Sequence, residues 1–474
     1  MKRGFVVPIV LVLTLGAGAP AAPETGVPAA RESKRESLES QRESVRVPSK
    51  SDRGEGNTAS SAESRSYGPP VVGSKDGGKD ARADPRVVSV AAFGARGDGV
   101  TDDSRALRAA LDGAPKNGIV RFERGHTYLV HGKLLVKQPG VKLVGYGATI
   151  QFHVTEDELR GPKGAAQISI QLLAPSTGVY GLTVTSNLDR RLTGHQDLGG
   201  IVLASENNEV IDNHLRYTHV GIFARYARNF VIARNTVERT FADGIHVTTG
   251  SWGGLITGNT VRETGDDMIA VVNYGAGEPN VGNVVIENND VAGQYWGRGI
   301  TVVGGRDVTI RRNRIADTTH AAAIFIAAER HYNTANVANV LVEGNEIANV
   351  QTSDAVYNPI RTRKKTGHAA IQVLAEGDKE IRDVLIRGNR IVNSPRGGIS
   401  VRGAACRIGI EENKLERIGT TPIQMDQADR SDSCAPACRG NRSGRLAADP
   451  GDCRDRLLGV SGASFQATAR EVLR

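Results

Sequence analysis

The residues best placed to do chemistry lie in FADGIHVTTGSWGGLITGNTVRETGDDMIAV, residues 241–271. One aspartate (Asp243) and then an aspartate pair (Asp266, Asp267) stand just ahead of two matching apolar runs, GIHV and MIAV. A lone Asp in a tight turn is commonly structural, because its carboxylate satisfies nearby backbone N–H groups. Three carboxylates on one surface are a different object. Their mutual repulsion raises at least one pKa and holds a proton near neutral pH. A protonated acid beside ionised carboxylates suits general acid–base work, and a carboxylate cluster also suits a hard cation such as calcium. The choice rests on whether the fold brings the three together.

Internal repetition supplies the positioning element. Asparagine recurs in one context at Asn213, Asn235, Asn259, Asn289, Asn313, Asn345, Asn389 and Asn413, at spacings of 22, 24, 30, 24, 32, 44 and 24. Three residues before each stands Val or Ile, two residues after each stands Leu, Val or Ile, and most units close on an x-G/A-I-x-V run. Short alternating strands at a period near 23, with extra length confined to a few places, predict a solenoid whose coils stack strand on strand. The β-branched residues point inward and the intervening ones outward, so the fold class is all-β. The repeated asparagines are expected to bond to one another as a ladder. TDDSRALRAALDGA (101–114) predicts a short amphipathic helix that plugs the N-terminal end, with Asp102 or Asp103 as N-cap and Gly113 as its stop.

This repeat puts the residue before each G/A-I element in one column: Val220, Asp243, Asp267, Arg298, Ala322, Ala369, Gly397. Asp243 and Asp267 then sit about 5 Å apart on adjacent coils. Asp266 becomes a diagonal neighbour of Asp243 at roughly 7–8 Å. His219 and His246 flank the group, and Arg298 follows one coil on. Glycoside hydrolysis needs one acid to protonate the leaving oxygen and another to activate water, and the diagonal falls in the roughly 6.5–9.5 Å spacing of inverting enzymes.

Outside residues 86–430 the composition changes. Met1 to Ala22 has the basic start, apolar run and small-residue close of a secretory signal peptide, which predicts a secreted, periplasmic or extracellular protein without stable membrane insertion. Residues 23–85 hold one aromatic and no Ile, Phe, Trp or Met, which predicts a disordered linker. Residues 431–474 read as a Cys-containing C-terminal cap that includes SFQATAREVLR. All four cysteines (Cys406, Cys434, Cys438, Cys453) lie near this end, and export makes two disulfides plausible in any of three connectivities. The net charge of +8 suits a polyanionic partner, while the scarcity of aromatics (4%) and of module signatures excludes nucleic acid. A monomer is expected.

VVSVAAFGARGDGVTDDSRALRAALD resembles the opening segment shared by pectate-lyase-superfamily and glycoside hydrolase family 28-like proteins, and the asparagine-centred units resemble their repeats. The resemblance implies a right-handed parallel β-helix over roughly residues 86–430. It also implies roles. The polygalacturonase family carries an NTDGI-like motif and, one coil later, GDDxIAI; these stand here as FADGI and GDDMIAV. By that likeness Asp266 is the general acid, and Asp243 and Asp267 position the attacking water. Two features depart from the family: Arg298 in GRGITV replaces the histidine of a GHG motif, and no RIK-type motif follows to hold a galacturonate carboxylate.

Insertions in a solenoid fall in loops, often on the binding face. TSNLDRRLTGHQDLG (185–199) brings Arg190, Arg191, His195 and Asp197. YGAGEPNVGN (274–283) brings Tyr274, and AERHYNTAN (328–336) brings Glu329, Arg330, His331 and Tyr332. QTSDAVYNPIRTRKKTGH (351–368) brings Arg361, Arg363, Lys364 and Lys365. Trp252, Tyr274, Tyr295 and Trp296 are candidates to stack on sugar rings. The leading expectation is a polysaccharide hydrolase of the inverting type, with an anionic glycan among its candidate substrates. A polysaccharide lyase or uronate epimerase is the alternative enzyme, with Arg298, His219, His246 or a loop lysine as base. A third reading is a non-catalytic glycan-binding β-helix. No cofactor is required in the first reading, and a calcium ion fits the third.

Overall fold

The computed structural model describes residues 84–161, 166–192, 199–275, 280–352, 365–427, 434 and 437–443. The expected signal peptide, nearly all of the expected linker, His195, Asp197, Arg361, Arg363, Lys364, Cys453 and SFQATAREVLR lie outside the described residues.

Each coil lays down three short strands, one on each of three faces, and each strand pairs in parallel with its counterpart on the next coil. On the first face Val220–Arg225, Ile245–Thr248, Ile269–Val272, Ile300–Val303 and Ile324–Ala328 follow one another. Their register stacks Ile222 on Ile245, Ile269, Ile300 and Ile324, all without solvent exposure. The second face stacks Ile232 on Ile256, Ile286 and Ile310, and the third stacks Val237 on Val261, Val291 and Ile315. Like therefore meets like inside the coil, which lets β-branched side chains interlock without voids. The result is the expected right-handed parallel β-helix.

The asparagines mark the turn from the second face to the third. Each lies next to a residue in the left-handed conformation, such as Asp212 (φ 61°), Arg234 (φ 54°) and Asn288 (φ 55°), with glycine supplying that conformation at Gly258, Gly344 and Gly388. The ladder forms as expected. Asn289 Nδ2 and its backbone N–H both donate to Asn313 Oδ1, at 3.0 Å each, and Asn313 repeats the pattern onto Asn345 at 3.0 and 2.9 Å. Asn441 adds a ninth rung below Asn413, and strand pairing runs on to Ser443, past residue 430.

The helix Ser104–Gly113 buries Leu107, Ala110 and Leu111 in the core and covers the first coils. Its capping differs from expectation. Asp103 is the N-cap residue, as expected, but its carboxylate accepts the N–H groups of Arg96 (2.7 Å) and Gly97 (2.9 Å), and it is Asp102 Oδ1 that accepts the Ser104 N–H at 3.0 Å. Gly113 is the last helical residue and not its stop. Cys406 and Cys434 form a disulfide, and Cys438 is also disulfide-bonded.

Much of the basic charge is consumed between coils. Arg234 pairs with Asp212, Arg239 with Glu263, Arg387 with Glu343 and Arg407 with Asp383, each on the coil next to its partner. Each pair joins one positive and one negative group, so these bridges tie coil to coil and leave the net charge of +8 unchanged.

Candidate active site

The aspartates occupy the turns that lead into the first-face strands. Backbone hydrogen bonds define two rows across the coils. Gly221 N donates to Asp243 O (3.1 Å), Gly244 N to Asp267 O (3.0 Å) and Met268 N to Arg298 O (3.0 Å), which places Asp243, Asp267 and Arg298 in one row. Ala242 N donates to His219 O and Asp266 N to Ala242 O (3.1 Å), so Asp266 stands in the neighbouring row. One carboxylate oxygen from each of Asp243, Asp266 and Asp267 lies within 4.8 Å of the others.

The diagonal of roughly 7–8 Å describes neighbouring backbone positions, and the carboxylate oxygens come closer than that. Strand geometry sets where the side chains leave the backbone, whereas the carboxylates lean toward one another. The nearest oxygens therefore fall short of the roughly 6.5–9.5 Å spacing of inverting enzymes.

Each carboxylate has its own cationic partner. Asp243 Oδ2 is hydrogen-bonded to His246 Nδ1. Asp266 Oδ2 pairs with Arg191 Nη1 at 2.7 Å. Asp267 Oδ1 accepts the Arg298 backbone N–H at 2.6 Å, and its Oδ2 lies 3.6 Å from Arg298 Nη1. The Arg298 guanidinium continues to the buried Glu329 (2.7 Å) and covers the Phe325 ring at 4.3 Å from its centroid.

Burial decides the proton balance. It pushes Asp267 up to about 7, with Asp266 and Asp243 adding to the rise and Arg298 opposing it. Burial also raises Asp266, reinforced by Asp243 and opposed by Arg191. For His246 burial favours the neutral ring, but the charge and hydrogen bond of Asp243 outweigh it and hold the imidazole proton more tightly than usual. These groups interact strongly, so the protons belong to the trio as a unit. Two of the three acids therefore hold their protons to higher pH than an ordinary carboxylate.

Gly297 lets the next coil pack directly against the aspartates. A Cβ there would come within 2.4 Å of Asp267 Oδ1 and its backbone N, and within 2.5 Å of Asp266 Oδ1. A glycine is required here by space, not by backbone angle.

The other expected site residues separate clearly. Tyr274 stacks on the His246 ring (6.4 Å between centroids, 9° between planes). Trp296 is 53% exposed and stacks on His320 at 4.5 Å. His219 is only 3% exposed, which leaves little surface to offer a substrate. Trp252 opens the second-face strand Trp252–Thr257, away from the first-face turns that carry the trio. Lys365 Nζ donates to the Gln351 carbonyl at 2.9 Å. Sequence reasoning named Arg191 and Glu329 only as loop residues and missed Phe325 and His368. The outward row Phe223, His246, Ala270, Thr301, Phe325 was available from the repeat register. His368 stacks on Phe325 at 4.9 Å and is pushed down to about 4, by burial first and then by Arg298.

The donor set also bears on calcium. Three carboxylate oxygens within 4.8 Å suit a hard cation, and such an ion would share the aspartates with Arg191, His246 and Arg298. No helix among the described residues is long and apolar enough to cross a membrane.

Comparison with known proteins agrees with the fold. Residues 199–364 match the family model described as "Right handed beta helix region". Residues 87–164 match the one described as "Rhamnogalacturonase A/epimerase, pectate lyase-like". No curated protein matches the sequence. Among solved structures, the catalytic unit of a thermostable GH87 alpha-1,3-glucanase from Streptomyces thermodiastaticus is similar with a TM-score of 0.58 and 17% identity, covering 76% of this chain and 69% of that one. The Agl-KA catalytic domain gives 0.57 at 19% identity, with coverage of 76% and 69%. The A-module of the Azotobacter vinelandii mannuronan C-5 epimerase AlgE4 gives 0.50 at 17%, covering 74% and 97%. Identities this low speak to architecture and not to the reaction. Taken with the stacked strands and the asparagine ladder, these matches make the chain a right-handed parallel β-helix protein with a pectate-lyase-like opening segment.

Proposed function

We propose that this protein is a polysaccharide hydrolase in which Asp266 protonates the leaving glycosidic oxygen and Asp243 and Asp267 hold and deprotonate the attacking water. The observation that carries the reading is the convergence of three acids within 4.8 Å, with burial raising two of them. Asp266 is the most accessible of the trio, with a side chain 20% exposed against 15% for Asp243 and 8% for Asp267. It also stands off the row shared by the other two, so one water between Asp243 and Asp267 leaves Asp266 facing the sugar. Because the oxygens lie closer than the spacing of inverting enzymes, this reading commits to hydrolysis and not to a stereochemical course. A catalytic calcium is not part of this reading, and the protein would act outside the cell as a monomer.

Elimination or epimerisation needs a cation to neutralise the uronate carboxylate and a base to take the C5 proton. Arg191 and Arg298 are both paired with site carboxylates. Of the expected bases, His246 holds its proton more tightly than usual because of Asp243, and the adjoining Tyr274 is raised, by burial first and then by the charge of the trio. These observations favour hydrolysis.

The test is incubation with neutral and acidic polysaccharides, read for reducing ends and for the absorbance of unsaturated uronates near 235 nm. Reducing ends without absorbance, reduced about 10²–10⁴-fold in Asp266→Asn, are the expected result. Absorbance in the products transfers the chemistry to elimination, and turnover that survives Asp266→Asn removes it from the acid role.

Arg191 gives a second expected result. Its charge opposes the protonation of Asp266, so Arg191→Met should let Asp266 keep its proton to higher pH. The alkaline limb of the kcat/KM profile should therefore move upward. A limb that stays in place, or moves down, contradicts the assignment of Asp266 as acid.

A further inference from the structure

Granted that the trio is where a polysaccharide binds, the reading on which this inference rests, the charge pattern around it bears on the kind of substrate. Asp243, Asp266, Asp267 and Glu329 bring four carboxyl groups to the site. Among the described residues the guanidinium groups facing them are those of Arg191 and Arg298, and both are already engaged: Arg191 with Asp266 at 2.7 Å, Arg298 with Glu329 at 2.7 Å and Asp267 at 3.6 Å. His246 is taken by Asp243. A sugar carboxylate entering here would meet guanidinium groups that are already engaged, and recruiting either arginine would strip a half-buried or buried acid of its counter-charge, which destabilises the site.

What the site offers instead is a flat apolar surface. Trp296 lies one residue before Gly297, on the coil that follows the aspartate pair, and Gly297 packs directly against Asp266 and Asp267. Its indole is backed by the His320 ring at 4.5 Å with 19° between planes, which fixes its orientation while 53% of the residue stays exposed. An indole held this way suits the C–H face of an uncharged pyranose and supplies orientation without charge.

We propose that the substrate is a neutral hexose polymer, and that the sugar next to the scissile bond stacks on Trp296 over His320. This departs from the anionic glycan suggested by the basic loop residues, and makes Trp296 a specificity-determining residue.

Affinity electrophoresis tests it with the full-length Asp266→Asn chain in gels containing neutral glucans of α-1,3, α-1,4, β-1,3 or β-1,4 linkage. Each glucan is paired with a preparation oxidised to the carboxylate at C6. Retardation by at least one neutral glucan, weakened tenfold or more by oxidation of that glucan, is the expected result. Adding Trp296→Ala should weaken retention by roughly five- to tenfold, whereas Trp296→Phe should recover part of it. Retention of an oxidised polymer as strong as that of its neutral parent overturns the proposal, as does retention by none of the neutral polymers. Release of reducing ends by the wild-type protein is scored separately. A neutral glucan that is retained but never cut leaves this inference standing and removes the hydrolase, whereas cleavage confined to carboxylated polymers does the reverse.

Discussion

Asp267→Asn should lose about 10²–10⁴-fold in turnover and, above neutral pH, be more stable than the wild-type protein. Both effects have one cause. Asp267 is 6% exposed and its carboxyl is pushed up to about 7, mainly by burial. Below about pH 4 the group is protonated in both folded and unfolded chains and has no influence on the balance. Between about pH 4 and 7 the folded chain holds a proton that the unfolded chain has released, so stability falls as pH rises. The accumulated loss is on the order of a few kcal/mol once the pH exceeds the folded value.

An asparagine has no charge to desolvate. Its Oδ1 can still accept the Arg298 backbone N–H, now 2.6 Å from the aspartate oxygen, and Arg298 keeps Glu329. The variant's melting temperature should therefore change less between pH 4 and 8 than that of the wild type, with the two curves drawing together at the acid end. Thermal melts across that range decide the matter. A variant that is less stable than wild type at pH 8 would show that the carboxylate is a structural ion-pair partner, in which case its loss of activity would carry no information about catalysis. A gain in stability with a loss of turnover identifies a site whose charge is kept at the fold's expense.

How much of the molecule is legible in its sequence divides by the type of interaction. The β-helix can be read because its information is periodic. Ile222, Ile245, Ile269 and Ile300 are spaced by the coil, and so are the asparagines, so register follows from counting and places Asp243 beside Asp267. What the repeat does not show is how outward side chains lean. The trio lies within 4.8 Å and not at the diagonal spacing, because side-chain rotation lets Asp266 close on its neighbours. Nor does the repeat assign partners to loops. Arg191 comes from an insertion more than seventy residues before Asp266, and nothing periodic links them. Glu329 reads as one charge among several in AERHYNTAN, but being buried against Arg298 makes it part of the site. The reverse error also occurs. His219 reads as a flanking ligand because of its position in the row, yet it is buried. Gly297 draws no notice, since a glycine needed for space leaves the same letter as one needed for a turn.

The largest effect on stability is expected from the ladder that sets this geometry. Asn313 sits in its middle and every polar atom of its side chain is used. Its Oδ1 accepts from the Asn289 backbone N–H and from Asn289 Nδ2, at 3.0 Å each, while its Nδ2 donates to Ile286 O (2.9 Å) and Asn345 Oδ1 (3.0 Å). Asn289, Asn313 and Asn345 are all buried, so no solvent takes over when one rung is removed. Asn313→Ala leaves two donors of Asn289 without an acceptor and a carbonyl without a donor. Each such buried group costs about 1–3 kcal/mol, so a total of several kcal/mol is expected, a large part of a typical domain's stability. Asn313→Asp isolates the donor side. It preserves the shape and both acceptor functions but loses the two N–H bonds and buries a charge, so it should be at least as damaging as alanine. Asn441, half-exposed at the end of the ladder, provides the internal control. Water can replace what Asn441→Ala removes, and its cost should be a small fraction of that at Asn313. Denaturant midpoints for the three variants give the comparison. Equal losses at Asn313 and Asn441 would mean that the ladder is a by-product of stacking. A steep gradient from centre to end would mean that the hydrogen-bonded column itself holds coil upon coil, and with it the register that lines up Asp243 and Asp267.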